Sequence, residues 1–390
     1  MNSGWKKYRF SDFVEISPSV RLKPGTPSSF VQMADLQDGN KFCESSIMRP
    51  FNSSGTRFQD GDTLFARITP CLENGKICQV RNLLDNKGFG STEFHVFRGR
   101  EGLSDTDFVY YLSRWFDVRD FAEANLHGTS GRQRVPRESF DSLFLNLPDY
   151  NEQHAMAVVL ASLDGKIDLL HRQNKILEGM VAVLWRKMFV EEADPHWRQG
   201  QLSHHGRIIC GKTPSKKVTE YFGGNIPFIK IPDMHGKVFI FETEDSLTEE
   251  GKKSQANKTI PAKSICVSCI ATVGLVGMNA FGSQTNQQIN TIIPSKDNER
   301  YYLFLLLRNM TDDLFARASG GTATNNLNTG DFSRIEISIP PENTIQEFDN
   351  LVHNYFEKIY KNQIQIRTLS RTRNILLPKL MSGEVRVKTN

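Results

Sequence analysis

LASLDGKIDLLHRQNKILEGMVAVLW, residues 160–185, places Leu163, Leu170, Leu177 and Leu184 seven residues apart, with Ile167, Asn174, Val181 and Met188 four residues after each. Apolar residues alternating at three and four positions form the seam of a helix that packs along another helix. A seam in mid-chain needs a partner, and the rest of the sequence offers one.

Sliding the sequence against itself by 192 residues superposes Trp5 on Trp197, Ile16 on Ile208, Phe140 on Phe332, Leu147 on Ile339, Pro148 on Pro340, Lys166 on Lys358, Ile167 on Ile359 and Leu177 on Leu369. The chain reads as a tandem duplication. Between these anchors the offset drifts, as in TPSSFVQMADL (26–36) against GNIPFIKIPDM (224–234), or TLFARITPCLENGKI (63–77) against SICVSCIATVGLVGM (264–278). Loops differ while the scaffold persists.

Pro148 and Pro340 mark joins between a globular and a helical part in each copy. Short apolar runs such as PFIKIPDM, KVFIFE and NTIIP, broken by Gly, Pro, Asn and Asp, predict strands and hairpins. FVYYLSRWFDVRDFAE (108–123) and YYLFLLLRNMTDDLFARA (301–318) predict one amphipathic helix per copy. The expected fold is α+β: globular α/β domains at 1–147 and 193–340, and helical regions at 148–192 and 341–390.

The second helical region carries Ile345, Val352, Ile359 and Ile366 interleaved with Phe348, Tyr355, Asn362 and Leu369. If the two seams pair within the chain, the duplication makes them an antiparallel, pseudo-twofold coiled coil. Setting Asn174 opposite Asn362 pairs Leu160 with Leu376, Ile167 with Leu369, Leu170 with Ile366, Leu177 with Ile359, Val181 with Tyr355, Leu184 with Val352 and Met188 with Phe348. Leu163 against Arg373 is the one mismatch. Two amides in one buried layer would fix the register. The alternatives are that each seam packs on its own globular domain, or that two chains pair in trans.

A length of 390 residues with 38% hydrophobic and 24% charged side chains excludes disordered and collagen-like classes and allows more than one domain. MNSGWKKYRF has no apolar run before a small-residue cleavage site, so a cytoplasmic location is expected. Six cysteines are too sparse for a disulfide framework, and Cys266 and Cys269 lack a second pair at zinc spacing. The uncharged run 264–285 matches a segment of the other copy that carries Arg67, Glu73 and Lys76, so it reads as core strand rather than membrane span. A net charge of +4 permits phosphate-binding patches and proves none.

Catalytic motifs are hard to find. GKTPSK (211–216) lacks the upstream glycine of a nucleotide-binding loop. NLPDY (146–150) and PPEN (340–343) fall short of the Asn/Asp-Pro-Pro-aromatic motif that methylation of a DNA amino group would need. PDMHGK (232–237) offers a nuclease one aspartate with no defined partner, and Asp233 matches Asp35 of the other copy, which points to a turn. No His, Ser or Cys lies in a nucleophile motif, and His204 and His205 read as a surface loop pair. Neither a metal nor a cofactor is expected.

GKTPSK, YFGGNIPFIKIPDM, FGSTEFHV, TNQQI and LPKLMSGEVRV, set on two repeats with intervening heptad helices, resemble the specificity subunit of type I restriction-modification systems. The resemblance covers the whole chain. It implies two target-recognition domains, each contacting one half of a bipartite target in double-stranded DNA, with paired helices setting the distance between them. It also implies a non-catalytic subunit that directs two methyltransferase subunits and, when they join, restriction and translocase subunits.

Base edges are read by Arg, Asn and Gln, while Lys, Ser and backbone N–H groups hold phosphates. Reading loops should be polar and should differ between copies. GTSGRQRVP (128–136) and SGGTATNNLN (319–328) meet both conditions, which makes Arg132, Gln133 and Arg134, and Thr324, Asn325 and Asn326, the leading DNA-binding candidates. Solvated, glycine-flexible tips are the competing reading. Arg67, Lys76, Asn286, Gln287 and Gln288 are secondary candidates, for which a turn role competes. Two other functions stay open: a methyltransferase or nuclease with unfamiliar motifs, and a coiled-coil scaffold that only joins proteins. Binding of S-adenosylmethionine by the isolated chain would mark the first, and absence of sequence-selective DNA retention the second.

Overall fold

The computed structural model describes residues 4–129, 131–319 and 325–387. The chain forms two compact units, Met1–Arg172 with Ile364–Asn390, and Gln173–Gln363. The boundary between them falls inside both long helices.

In the first unit, Val14–Ile16, Phe94–Gly99, Thr63–Ala66, Ile77–Val80 and Phe42–Cys43 lie in that order in a five-stranded sheet. Its central strands are largely apolar because both faces are covered, with Thr63, Gln79, His95 and Arg98 as the polar exceptions. Leu64, Cys78, Val80 and Val96 point into one cluster, while Phe65, Ile77 and Phe97 point into the other, as the two-residue period of a strand requires. Phe97 anchors the larger cluster, with ring centroids 5.4 Å from Phe10, 5.1 Å from Phe65 and 5.4 Å from Phe140. Burying such a ring contributes roughly 1.5–3 kcal/mol. A second sheet orders Ile47–Pro50, Pro27–Val31, Lys87–Gly90 and Thr56–Gln59, and Lys6–Arg9 pairs with Phe144–Leu147 to bring the domain's ends together.

The second unit repeats this plan. Gly206–Cys210, Ile289–Pro294, Ile265–Ser268, Val276–Asn279 and Phe239–Ile240 form the five-stranded sheet in the same order, and Arg198–Gln201 pairs with Glu336–Ile339. The strand Thr56–Gln59 is replaced by a single Ile260–Ser283 bridge. The uncharged run is explained by these strands: Ile265 and Val267 face one cluster and Cys266 the other, so no position is left for a charge. No helix among the described residues is long and apolar enough to cross a membrane.

The single amphipathic helix expected in each copy is two helices. Thr106–Arg114 and Phe116–Ala124 break at Trp115, whose backbone is extended (φ −66°, ψ 140°) and whose indole is buried. Arg300–Asn309 and Thr311–Ala318 break at Met310. The apolar period continues through both breaks, which hides them in the sequence.

The long helices are Tyr150–Arg186, 37 residues, and Glu342–Met381, 40 residues. Within the first unit they run antiparallel: Arg386, just past the second helix, forks onto Glu152, and Arg373 donates to Asp164. Leu160 shares the core there with Leu376, Leu377 and Leu380. Within the second unit they are again antiparallel, with Asn362 Nδ2 donating to Asn174 Oδ1 at 2.8 Å and Phe189 meeting Phe348 at 5.1 Å. Leu177, Val181 and Leu184 pack there in one cluster with Val352, Tyr355 and Ile359. The expected mismatch of Leu163 against Arg373 resolves differently. Arg373 is buried, and its guanidinium serves Asp164 and the Gly39 carbonyl, while Asp164 also accepts from the Tyr111 hydroxyl at 2.7 Å.

Candidate nucleic-acid interface

In the first unit three connections meet at one end of the five-stranded sheet, where Thr63–Ala66 leaves it and Phe94–Gly99 enters. Arg67 N–H donates to the Glu93 carbonyl at 3.0 Å and Val135 N–H to the Arg67 carbonyl at 2.9 Å. Thr69 N–H donates to the Gln133 carbonyl, and Gln133 N–H returns a bond to Thr69 Oγ1, each at 3.0 Å. The candidate loop is thus a braced hairpin, closed by reciprocal bonds between His127 and Arg134.

Arg134 supplies much of the bracing. Its guanidinium forks onto Glu93 at 2.7–3.0 Å and donates to the Arg132 carbonyl at 3.0 Å. Its side chain is 41% exposed, so this pair works mainly by geometry. Arg132 beside it is exposed, with no side-chain partner among the described residues. Gln133 and Arg67 are half-buried at the same end of the sheet, and the Arg67 Nε lacks a partner among the described residues. Lys76 turns away, donating to the Met33 carbonyl at 2.9 Å.

The second unit builds the corresponding end from Asn-rich loops. Ala271 N–H donates to the Asn325 carbonyl at 3.0 Å, Leu327 N–H to the Cys269 carbonyl at 2.8 Å, and Cys269 N–H to the Gln288 carbonyl at 2.8 Å. Asn326 is exposed, whereas Asn325 Oδ1 accepts from Ser319 at 3.2 Å. Asn286 and Gln288 are bonded to each other in a turn, and the exposed Gln287 between them accepts from Thr213 Oγ1 at 2.7 Å. Thr324 lies outside the described residues.

The two ends share one internal bond. His95 Nε2 lies 2.9 Å from the Val135 carbonyl, and Asn290, at the same place on its strand, donates to the Leu327 carbonyl at 3.3 Å. The imidazole must donate here, and burial pushes its pKa down to about 4, helped by the nearby Arg67 charge. Glu93, His95 and Asn290 escaped the sequence reading, although Glu93 and His95 sit in the quoted phrase FGSTEFHV.

Asp233 accepts from the Lys230 and Glu244 N–H groups, and Asp35 from that of Gln32, so both carboxylates close turns. The expected surface pair of histidines is half right. His204 is exposed, but His205 is buried against Tyr302, ring to ring at 5.7 Å.

A family model described as the type I restriction modification DNA specificity domain matches residues 196–368. The chain is 34% identical to the type I restriction enzyme HindI specificity subunit of Haemophilus influenzae, covering 98% of this chain and 100% of that one. It is 26% identical to the MjaIX specificity subunit of Methanocaldococcus jannaschii, over 73% of this chain and 70% of the relative. Among solved structures, the S subunit of a type I restriction-modification system from M. genitalium has a similar fold, with a TM-score of 0.58, 15% identity, and coverage of 97% of this chain and 96% of that one.

Proposed function

The chain belongs to the family of type I restriction-modification specificity subunits, and from that premise we propose how its two units divide the work of recognising a DNA target. Domains 1–147 and 193–340 each read one half of a bipartite, asymmetric site in double-stranded DNA, using the loops at the end of the five-stranded sheet. Arg132 and Gln133 face base edges in one half, and Asn325, Asn326 and Gln287 in the other, since forked and amide groups discriminate bases in the major groove. Arg134, Asn286 and Gln288 hold those loops in shape.

The helical regions 148–192 and 341–390 set the spacer, with the Asn174–Asn362 layer fixing their register. Tyr150–Arg186 alone is about 55 Å long at 1.5 Å per residue, more than one ~34 Å turn of DNA. Two methyltransferase subunits dock on this framework in the cytoplasm, and restriction and translocase subunits join them. The chain selects the sequence and leaves the chemistry to its partners.

The observation that carries this reading is one loop cluster built twice on the same sheet order with different polar side chains. Co-expressing the chain with its methyltransferase subunit and mapping methylated sites by single-molecule sequencing tests it. Two short defined sequences separated by a fixed undefined spacer are expected, and one contiguous motif would contradict it. The purified chain alone, given S-adenosylmethionine, should leave DNA unmodified.

A further inference from the structure

The sequence GKTPSKK, residues 211–217, is not a nucleotide-binding loop, yet it is held more firmly than an ordinary connection. It leaves the edge strand Gly206–Cys210 at the loop end of the second unit's sheet. Gly211 N–H donates to the Ile289 carbonyl at 3.0 Å and Lys212 N–H to the Thr285 carbonyl at 2.9 Å. A Cβ at Gly211 would lie 2.1 Å from the Asn286 carbonyl oxygen, so only glycine allows this approach. From the other side the buried Gln255 amide donates to the Lys212 carbonyl at 2.6 Å and to Gln284 at 2.8 Å, and Gln284 is itself bonded to the Lys252 carbonyl and to Thr259. Thr213 then reaches Gln287.

This brace holds Lys212 beside the candidate reader Gln287, and Lys216 and Lys217 follow in the next turn, with all three lysines exposed. None of the three has a carboxylate partner among the described residues, unlike Lys230, Lys252, Lys263 and Lys296 but like Lys237, Lys253 and Lys258 of the same unit. Three unpaired, exposed cations on a connection pinned at residues 211–213, next to the proposed reading loops, suit a polyanion with regularly spaced charges. We propose that residues 211–217 form a phosphate-binding ledge that grips the DNA backbone at the second half-site and sets Gln287, Asn325 and Asn326 against the bases. This rests on the DNA-recognition reading above and adds a site that carries affinity without sequence information.

The test uses the full chain in complex with its methyltransferase subunit. DNA affinity is measured against salt concentration for the wild type, for Lys212→Ala/Lys216→Ala/Lys217→Ala, and for the corresponding triple Lys→Arg variant. Each phosphate contact contributes about 0.9 to the slope of log affinity against log salt. The alanine variant should lose between about 1 and about 3 of that slope and roughly tenfold or more in affinity, with the methylated sequence unchanged. The arginine variant should keep the slope. An unchanged slope in an alanine variant that melts like the wild type would overturn the ledge, as would a changed half-site. A wild-type complex that binds DNA without sequence preference would overturn the recognition reading instead, and slope loss in that case would still uphold the ledge.

Discussion

At the scale of single residues, the two units solve one local problem with different side chains, and the difference has a measurable consequence. Asn290 donates to Leu327 unchanged at any pH, whereas His95, which donates to Val135 from Nε2, can also take a proton on its other ring nitrogen, and burial beside Arg67 opposes that charge. With a folded pKa pushed down to about 4, against ~6.5 when unfolded, His95 takes up a proton in the unfolded chain that the fold refuses. Its contribution to stability is therefore complete above pH ~6.5 and is lost progressively as pH falls towards 4, by up to roughly 3 kcal/mol. His95→Asn should flatten the acid limb of the unfolding midpoint against pH. Equal acid slopes in both proteins would refute this. The reading residues allow a second prediction. Arg132→Ala should weaken or alter methylation at the first half-site alone, while loss at both halves would indicate misfolding. Arg134→Ala should act indirectly, loosening the loop and slightly lowering the first unit's stability. Thermal denaturation would show it. The loops themselves were legible as polar stretches that differ between copies. The clamp on Arg134 was not, because Glu93 lies 41 residues away and only the sheet brings it near.

At the scale of elements, the heptads disclosed the helix pair and its amide layer, since those depend on residues three and four apart. They did not disclose the Asp164–Arg373 pair, where a reach towards the neighbouring side chain replaces the expected layer. By the repeat, the matching positions in the second unit are Phe356 and Val181, both buried and apolar. A buried ion pair stabilises little relative to such a pair but is costly to break singly. Arg373→Leu should thus destabilise the first unit by about 3–5 kcal/mol. Adding Asp164→Leu should restore most of it in denaturant titrations, and a double variant as unstable as the single would contradict this. The spacer role makes a separate prediction. Four residues inserted between Arg172 and Gln173, and four between Gln363 and Ile364, lengthen each helix by about 6 Å. The methylated motif should then gain about two undefined base pairs, and an unchanged spacer would refute the helices as its determinant.

At the scale of the whole molecule, the duplication was legible because its anchors lie where the offset is constant: the ribbon Lys6–Arg9 with Phe144–Leu147, its copy Arg198–Gln201 with Glu336–Ile339, and the buried Phe140 and Phe332. The helix breaks at Trp115 and Met310 were not, because the buried face continues across them. The central claim is that two independent readers share one spacer. Replacing residues 1–147 with the corresponding domain of the Haemophilus influenzae relative, and mapping methylated sites by single-molecule sequencing, tests it most directly. The motif should change in one half-site and keep the other half and the spacer length. A motif altered in both halves would contradict the claim.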